Sequence, residues 1–489
     1  MKLSFSGHDY KYAVEQMLST LFPGERPDYS GLSAGEEGMA VTLSRAASFT
    51  TAVCRYTAPS GTFRGTARVR NDRLTTPTEK DRLCQFIIKN AVYRAVRASG
   101  MARPPWGALT GVRPGKLMNG IMKSSSSREE ALSRFSAEYD VTPERAALCY
   151  ETSLATQTAE NSLSERDVCL YIGIPFCPTR CAYCSFVSQA VAKNMQLIAP
   201  FHAALLQELS AVAAQVRAQG LRVVAIYAGG GTPTTLSPSQ LDTLCSCLEQ
   251  EFDLSALREF TVEAGRPDTI TPERLAVLKQ HGVTRVSVNP QTMSDAVLAA
   301  IGRKHSAQDV LDALAKVRRA GSFDVNMDII AGLPGDSISG FADTLEKVLA
   351  LSPENVTVHT LSLKRGSTLM SLGGEIPSPA EVAAMLELAY ARLAQEGYSP
   401  YYLYRQKNMS GGFENTGWTK PGHVNLYNIC MMEEICGILA AGGGGSTKLI
   451  KAGGGKNLRI TAPKYPLEYI EQIEKICEDK RKIGEFYGV

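Results

Sequence analysis

The chain has 489 residues, 44% of them hydrophobic and 21% charged, with a formal net charge of +3. That composition excludes a wholly disordered or fibrous protein, and at about 100–200 residues per domain it predicts two or three domains, or one barrel with an extension. So small a net charge gives no argument of its own for a nucleic-acid partner.

The start, MKLSFSGHDYKYAVEQ, lacks an apolar signal core and a small-residue cleavage site. No run of about 18 uninterrupted apolar residues occurs, so no membrane span is expected. The cytoplasm is the expected compartment, where the twelve cysteines are thiols or metal ligands rather than a disulfide framework.

Residues 1–160 read as an N-terminal α+β domain, with strands at 41–42, 51–56 and 62–70 and a helix at 79–99. Residues 82–128 carry nine Lys or Arg and no Asp or Glu: Arg82, Lys89, Arg94, Arg97, Arg103, Arg113, Lys116, Lys123 and Arg128. Either this run attracts an acidic partner, a polycarboxylate or RNA, or it is a solvated helix face with a basic loop. Trp106, beside Pro104 and Pro105, reads as a packing anchor, and the serine run at 124–127 as a flexible link.

Residues 161–375 alternate between short apolar runs and helical patterns. Strands are predicted at 168–174, 223–228, 259–263, 285–289, 325–330 and 356–361, with helices at 198–219, 238–252, 272–281, 306–320 and 339–349 between them. This β-α alternation predicts the α/β class and a parallel sheet. A closed eight-stranded barrel needs about 250 residues, so a partial (β/α)6 barrel fits the span better. In such a sheet, chemistry collects at the C-terminal ends of the strands.

Each predicted strand end carries a suitable residue. Strand one is followed by Cys177, Cys181 and Cys184 in C-x3-C-x2-C, within YIGIPFCPTRCAYCSF. A closed zinc site or an all-cysteine iron–sulfur cluster needs four protein ligands, and only Ser185 and Phe186 follow. Three thiolates on a [4Fe-4S] cluster leave one iron open, able to bind the amino and carboxylate groups of S-adenosylmethionine and cleave it to a radical. The alternative is zinc completed by a distant histidine, for which this spacing is uncommon. Strand two ends in GGGTPT, where Gly230 and Gly231 allow close backbone approach and Thr232 offers a hydroxyl. Glu263 closes strand three and can pair with an ammonium, and Arg303 can pair with a carboxylate. Gln291 and Asp328 can bond ribose hydroxyls, and His359 and Ser362 end strand six. The other nine cysteines, among them Cys169, Cys430 and Cys436, sit among apolar neighbours and read as small buried hydrophobes.

Residues 376–489 are expected to cap the open side of the barrel. A helix is predicted at 380–395, followed by alternating aromatic and basic residues from Tyr401 to Lys407. That stretch either turns Arg405 or Lys407 toward substrate carboxylates or forms an edge strand. The glycines at 442–445 read as a turn without the phosphate-loop pattern, and 464–488 as a charged surface helix.

YIGIPFCPTRCAYCSF followed by YAGGGTPTTL resembles the radical S-adenosylmethionine enzymes of the oxygen-independent coproporphyrinogen III oxidase family. RPPWGALTGVRPGKL and PYYLYRQKNMSGGFENTGW resemble its coproporphyrinogen dehydrogenase branch in particular. The resemblance implies that Cys177, Cys181 and Cys184 ligate a [4Fe-4S] cluster. It also implies that Tyr171, Tyr183, Gly230, Gly231, Thr232, Glu263, Gln291, Arg303 and Asp328 contact S-adenosylmethionine, one molecule or two, with Ser362 a looser match. The implied reaction is oxidative decarboxylation of two propionates of coproporphyrinogen III to vinyl groups, giving protoporphyrinogen IX. The implied partners are a tetrapyrrole substrate and a reductant such as flavodoxin or ferredoxin. The chain departs from the well-studied branch in having Phe186 in place of a further cysteine and Gly173 in place of a histidine. A haem-binding chaperone and a reductive haem-ring-opening enzyme are the alternatives within the superfamily. An RNA-modifying enzyme ranks last, because no RNA-binding motif is present.

Overall fold

The computed structural model describes residues 1–33, 35–184, 189–362, 375–406, 412–451 and 457–488, so Phe186 and Lys407 lie outside the described residues. The chain forms two compact units, one of Met1–Tyr150 with Arg405–Phe413, the other of Glu151–Tyr404 with Glu414–Val489.

The first unit is a four-stranded sheet under helices. Strands β1 (Lys2–Ser6), β2 (Gly38–Arg45), β3 (Phe49–Ala58) and β4 (Gly61–Arg70) lie in that order, β1 parallel to β2 and the rest antiparallel. Burial in β4 alternates with period two from Gly65 onward, so one face meets the core and the other solvent. The helix Pro77–Ala98, capped by Thr76, covers the inner face with Ile87, Ile88, Val92 and Val96. Gly65 permits this approach, since a Cβ there would lie 2.0 Å from the Ala91 carbonyl oxygen. The basic residues of 82–128 are spread through this unit: Arg94 donates to the Thr66 carbonyl at 2.7 Å, and Arg103 meets Asp140 at 3.3 Å. Trp106 is 1% exposed, and the Arg405 guanidinium lies over its ring. Arg405 donates to the carbonyls of Leu109 and Gly412, so its charge is committed within this unit rather than offered to a substrate carboxylate.

The second unit is built on one sheet. Its strands are β5 (Asp167–Ile174), β8 (Arg222–Gly230), β9 (Glu259–Val262), β10 (Arg285–Ser287), β11 (Asp324–Ala331) and β12 (Asn355–Thr360), with β6 (Phe176–Cys177) and β7 (Gln189–Ala190) forming a separate pair. Later come β13 (Ser399–Arg405), β14 (Glu414–Thr419), β15 (Gly437–Gly442), β16 (Ser446–Leu449) and β17 (Leu458–Thr461). The order is β13-β14-β12-β11-β10-β9-β8-β5-β15-β16-β17. From β5 to β12 every neighbouring pair is parallel, which is the six-stranded partial barrel expected from the alternation. β13 is the terminal strand of this sheet, so 401–405 takes the edge-strand alternative.

Four strands of this sheet, β14 to β17, were not foreseen, and one of them extends its parallel core. β15 pairs in parallel with β5, adding a C-terminal segment to the parallel run. Its sequence, GILAAG, reads locally as the lead into a glycine turn, and only the partner strand makes it a sheet element. The seam is tight: a Cβ on Gly442 would lie 2.2 Å from the Gly173 carbonyl oxygen, and one on Gly173 would lie 2.8 Å from the Gly443 carbonyl oxygen. This is a physical reason for glycine at 173. Gly173→His is expected to destabilise the chain by about 1–3 kcal/mol through overpacking, read as a lowered denaturant midpoint.

The 464–488 segment is three short helices, Pro466–Glu471, Ile473–Asp479 and Arg481–Tyr487, and not one surface helix. Lys480 is buried and pairs with buried Glu208 at 2.6 Å, while Tyr469 also donates to Glu208. A buried carboxylate requires such partners, which draws this segment inward. Glu208 belongs to the helix Val191–Ala218. Its Asn194–Ala218 stretch is long and apolar enough to cross a bilayer by length and composition. Phe201, Leu205 and Leu209 of that stretch are buried within the unit.

The two ends of the parallel strands differ in chemistry. Glu259, Arg285, Asp324 and Asn355 are the first residues of β9, β10, β11 and β12. Arg285 joins them, reaching Glu259 at 3.2 Å, Asp324 at 3.0 Å and Asn355 at 3.0 Å. Glu259 also accepts the backbone N–H groups of Leu426 and Tyr427, which open the helix Leu426–Glu433. A carboxylate at a helix N-terminus satisfies donors that have no partner inside the helix. The N-terminal end of the sheet is thus tied by a buried ionic cluster, and the opposite end is left for chemistry.

Candidate metal and cofactor site

The C-x3-C-x2-C loop leaves the C-terminal end of β5. Its first thiol, Cys177, lies on β6, held against β7 by pairing of Phe176 with Gln189 and of Cys177 with Ala190. The glycine turn after β8 docks on this segment: Gly231 N–H donates to the Ile174 carbonyl and Thr232 N–H to the Phe176 carbonyl, both at 2.7 Å. A Cβ on Gly231 would lie 2.4 Å from the Phe176 carbonyl oxygen, so no other residue fits without moving the loop. Thr232 aims its hydroxyl at Cys177 Sγ, 3.5 Å away.

The second half of the loop is anchored from the neighbouring strands. Ala182 N–H donates to the Ile301 carbonyl at 3.1 Å, and Cys184 N–H to the Cys181 carbonyl at 3.1 Å. Arg266, 4% exposed, donates to the Thr179 carbonyl and hydroxyl and lies 3.7 Å from Cys181 Sγ. Arg303 donates to the Tyr183 hydroxyl at 2.8 Å and to the carbonyls of Gly265 and Asn289. Beside these two arginines, His305 is pushed down to about 4, first by burial and then by both guanidinium charges.

Three half-exposed thiols on one loop, with a hydroxyl and a guanidinium donating to two of the sulfurs, form a donor set that suits thiolate ligation of an iron–sulfur cluster. No fourth ligand is contributed by residues 175–184, in keeping with an open iron.

Against the glycine turn lies a cluster of buried aromatic and polar side chains. Tyr171, Tyr227 and Tyr427 stack, with ring centroids 6.4 Å apart for Tyr171–Tyr227 and 4.4 Å for Tyr227–Tyr427. Tyr227 donates to Glu263 at 2.5 Å. Burial pushes the Glu263 carboxyl up to about 7, despite that hydrogen bond. Asp328 and His359 face each other at 3.6 Å, and Asn326 donates to Asp328 at 2.8 Å. Burial alone would raise Asp328, but His359 and Asn326 outweigh it and hold the carboxyl below its ordinary value. Gln291, which is buried, takes the left-handed conformation at φ 66°, with its backbone bonded to Asp328 and Ile330. An L side chain held there is strained, a feature that gathers at functional sites.

The structure therefore brings Tyr171, Gly230, Gly231, Thr232, Glu263, Gln291, Arg303 and Asp328 around the C-terminal strand ends, with Tyr183 bound to Arg303 and the three cysteines above. Ser362 lies two residues beyond β12, half-buried. Sequence reasoning missed Arg266, Tyr227 and Tyr427. Tyr227 had a signal, since it shares the face of β8 that carries Gly229; Tyr427 had none, because its neighbours come from strands about two hundred residues away in sequence.

A model of the radical SAM superfamily matches residues 171–348. The chain is 36% identical to the oxygen-independent coproporphyrinogen-III oxidase-like protein HemZ of Bacillus subtilis, over 92% of this chain and 91% of that protein. It is 29% identical to the heme chaperone HemW of the same organism, over 65% of this chain and 82% of that protein. Among solved structures, coproporphyrinogen III oxidase (HemN) from Escherichia coli superposes with a TM-score of 0.51 at 20% identity, over 69% of this chain and 82% of that one. That last likeness is one of fold. The radical SAM family uses a [4Fe-4S] cluster and S-adenosylmethionine. The fold, the cysteine loop and the near full-length likeness together show that the chain belongs to the radical SAM superfamily, in the family of the coproporphyrinogen-III oxidase-like protein HemZ.

Proposed function

We propose that the chain is an oxygen-independent coproporphyrinogen III oxidase, converting two propionates of a porphyrinogen to vinyl groups and giving protoporphyrinogen IX. The observation that carries this reading is the likeness to the coproporphyrinogen-III oxidase-like relative across 92% of the chain, flanks included, against 65% for the haem chaperone. Cys177, Cys181 and Cys184 would hold the cluster, which with S-adenosylmethionine supplies a hydrogen-abstracting 5′-deoxyadenosyl radical. A propionate that loses a β-hydrogen atom and then CO2 becomes a vinyl group, and one electron passes to an external acceptor. A reductant such as flavodoxin or ferredoxin would drive the start of each cycle, in an anaerobic cytoplasm.

The chain's own residues bind and orient. Gly230 and Gly231 let backbone approach the methionyl part of the ligand, and Thr232 and Arg266 steady the two sulfurs they touch. Glu263 accepts from the ligand's amino group, Arg303 sets Tyr183 in place and offers the site its charge, and Gln291 and Asp328 meet ribose hydroxyls. Tyr171 lines the same pocket, Ser362 its rim, and one S-adenosylmethionine or two are accommodated.

Because burial holds Glu263 near 7, the N–H groups of the ligand's amino group must draw it to the carboxylate form. Below that pH, binding requires proton release, so affinity for S-adenosylmethionine rises up to about tenfold per unit from pH 5.5 toward 7 and then levels off. Calorimetric titration of the cluster-loaded chain reads this, and Glu263→Gln removes the slope.

The function itself is tested anaerobically, with the cluster-loaded chain, S-adenosylmethionine, reductant and coproporphyrinogen III. Protoporphyrinogen IX with CO2 is the expected result. Stoichiometric haem uptake without turnover would overturn it in favour of a chaperone.

A further inference from the structure

Three cysteines that look isolated in sequence meet at the other end of the sheet. Cys169 is the third residue of β5, Cys430 lies in the helix Leu426–Glu433, and Cys436 immediately precedes β15. Their sulfurs lie within 4.8 Å of one another, and all three residues are buried. Cys169 Sγ and Cys436 Sγ are 3.6 Å apart. Three sulfurs each about 2.3 Å from one ion lie roughly 3.8–4.0 Å from one another, so small side-chain adjustments close this triad on a cation.

The surroundings suit a soft ion. The group sits in an apolar cluster with Ala225, Ile429 and Ile438, where hard oxygen ligands and water have no place. The two neighbouring carboxylates are already neutralised. Asp167 is held by Arg222 at 2.6 Å, and Glu259 by Arg285 at 3.2 Å. The triad is separate from the C-x3-C-x2-C loop, since β5 from Cys169 to Ile174 runs ~16 Å before that loop begins.

We propose that Cys169, Cys430 and Cys436 form a second metal site, a three-thiolate pocket for the soft d10 cation Cu(I). The ion would fasten the helix Leu426–Glu433 to the β5–β15 seam. Three ligands in a closed apolar pocket suit three-coordinate Cu(I), whereas a closed Zn(II) site takes a fourth ligand beyond these three cysteines.

The test uses the full-length, cluster-loaded chain under anaerobic conditions, with Zn(II) and Cu(I) titrated in separate arms against a competing chelator. Iron is counted separately. The expected result is one tightly held Cu(I) per chain with iron unchanged and Zn(II) held more weakly, a raised melting temperature, and a sulfur-only first shell of three ligands by X-ray absorption. Cys430→Ala and Cys436→Ala should each weaken retention on the order of 100-fold. Cys245→Ala, a buried thiol outside the triad, should leave it unchanged. Circular dichroism of the metal-free variants checks that they fold. Absence of tightly held Cu(I) from the unaltered chain overturns the proposal whatever the variants do. So does full retention by Cys436→Ala, or a Cys169–Cys436 disulfide found by mass in the anaerobic chain.

Discussion

Cys177→Ala abolishes the cluster: iron falls from about four per chain to below one, and reductive cleavage of S-adenosylmethionine drops to background. Two remaining thiolates cannot hold a four-iron cluster with one site already open, and no nearby side chain of the loop replaces the third. Cys177 is anchored on β6 and receives the Thr232 hydroxyl, so the loss also leaves that donor without its sulfur. Iron analysis and the charge-transfer absorbance of the anaerobically reconstituted variant read the effect, with circular dichroism confirming the fold. Normal iron and cleavage in this variant would refute the assignment of the loop. The effect on global stability should be small, because Cys177 is half-exposed and sits on a two-residue strand.

Arg285→Ala has the opposite profile. It is expected to lower stability by about 3–5 kcal/mol, because it strands buried charges rather than removing a reacting group. The Arg285 side chain is 4% exposed and that of Glu259 7%. Without the guanidinium, Glu259 keeps only the N–H groups of Leu426 and Tyr427, and Asp324 keeps His423 at 2.8 Å. Chemical denaturation measures the loss. Arg285→Met tests the reason: it restores volume without charge and recovers little, since the stranded carboxylates remain. At a temperature where the variant is folded, affinity for S-adenosylmethionine should be near normal, since Arg285 begins its strand and the candidate site gathers at the other end.

These two residues mark how far local pattern reaches. Cys177, Cys181 and Cys184 announce themselves because a cluster-binding loop is a short-range device, three thiols within eight residues. The parallel strands were equally legible, since apolar runs of five to seven residues alternating with helical periodicity have few other solutions. Glycines 230 and 231 carried their meaning in their type, because Gly230 takes a left-handed φ of +99° and only a residue without Cβ at 231 allows the backbone approach seen at Phe176.

Other features depend on partners far away along the chain. Arg285 could be read as the start of a strand, but its ties to Glu259 and Asn355 span 26 and 70 residues. β15 is a glycine-flanked apolar run until β5 pairs with it, and Lys480 is a surface charge until Glu208 faces it from the long helix. Cys169 and Cys436, 267 residues apart, look like separate apolar side chains in sequence. By itself, then, the sequence determined the class of fold and the loop on which cluster chemistry depends, because both rest on spacing and periodicity within a few turns or strands. The tertiary structure alone decided which charges are buried together, which strands close the seam and which cysteines meet, because those depend on register and packing between segments that no local pattern relates.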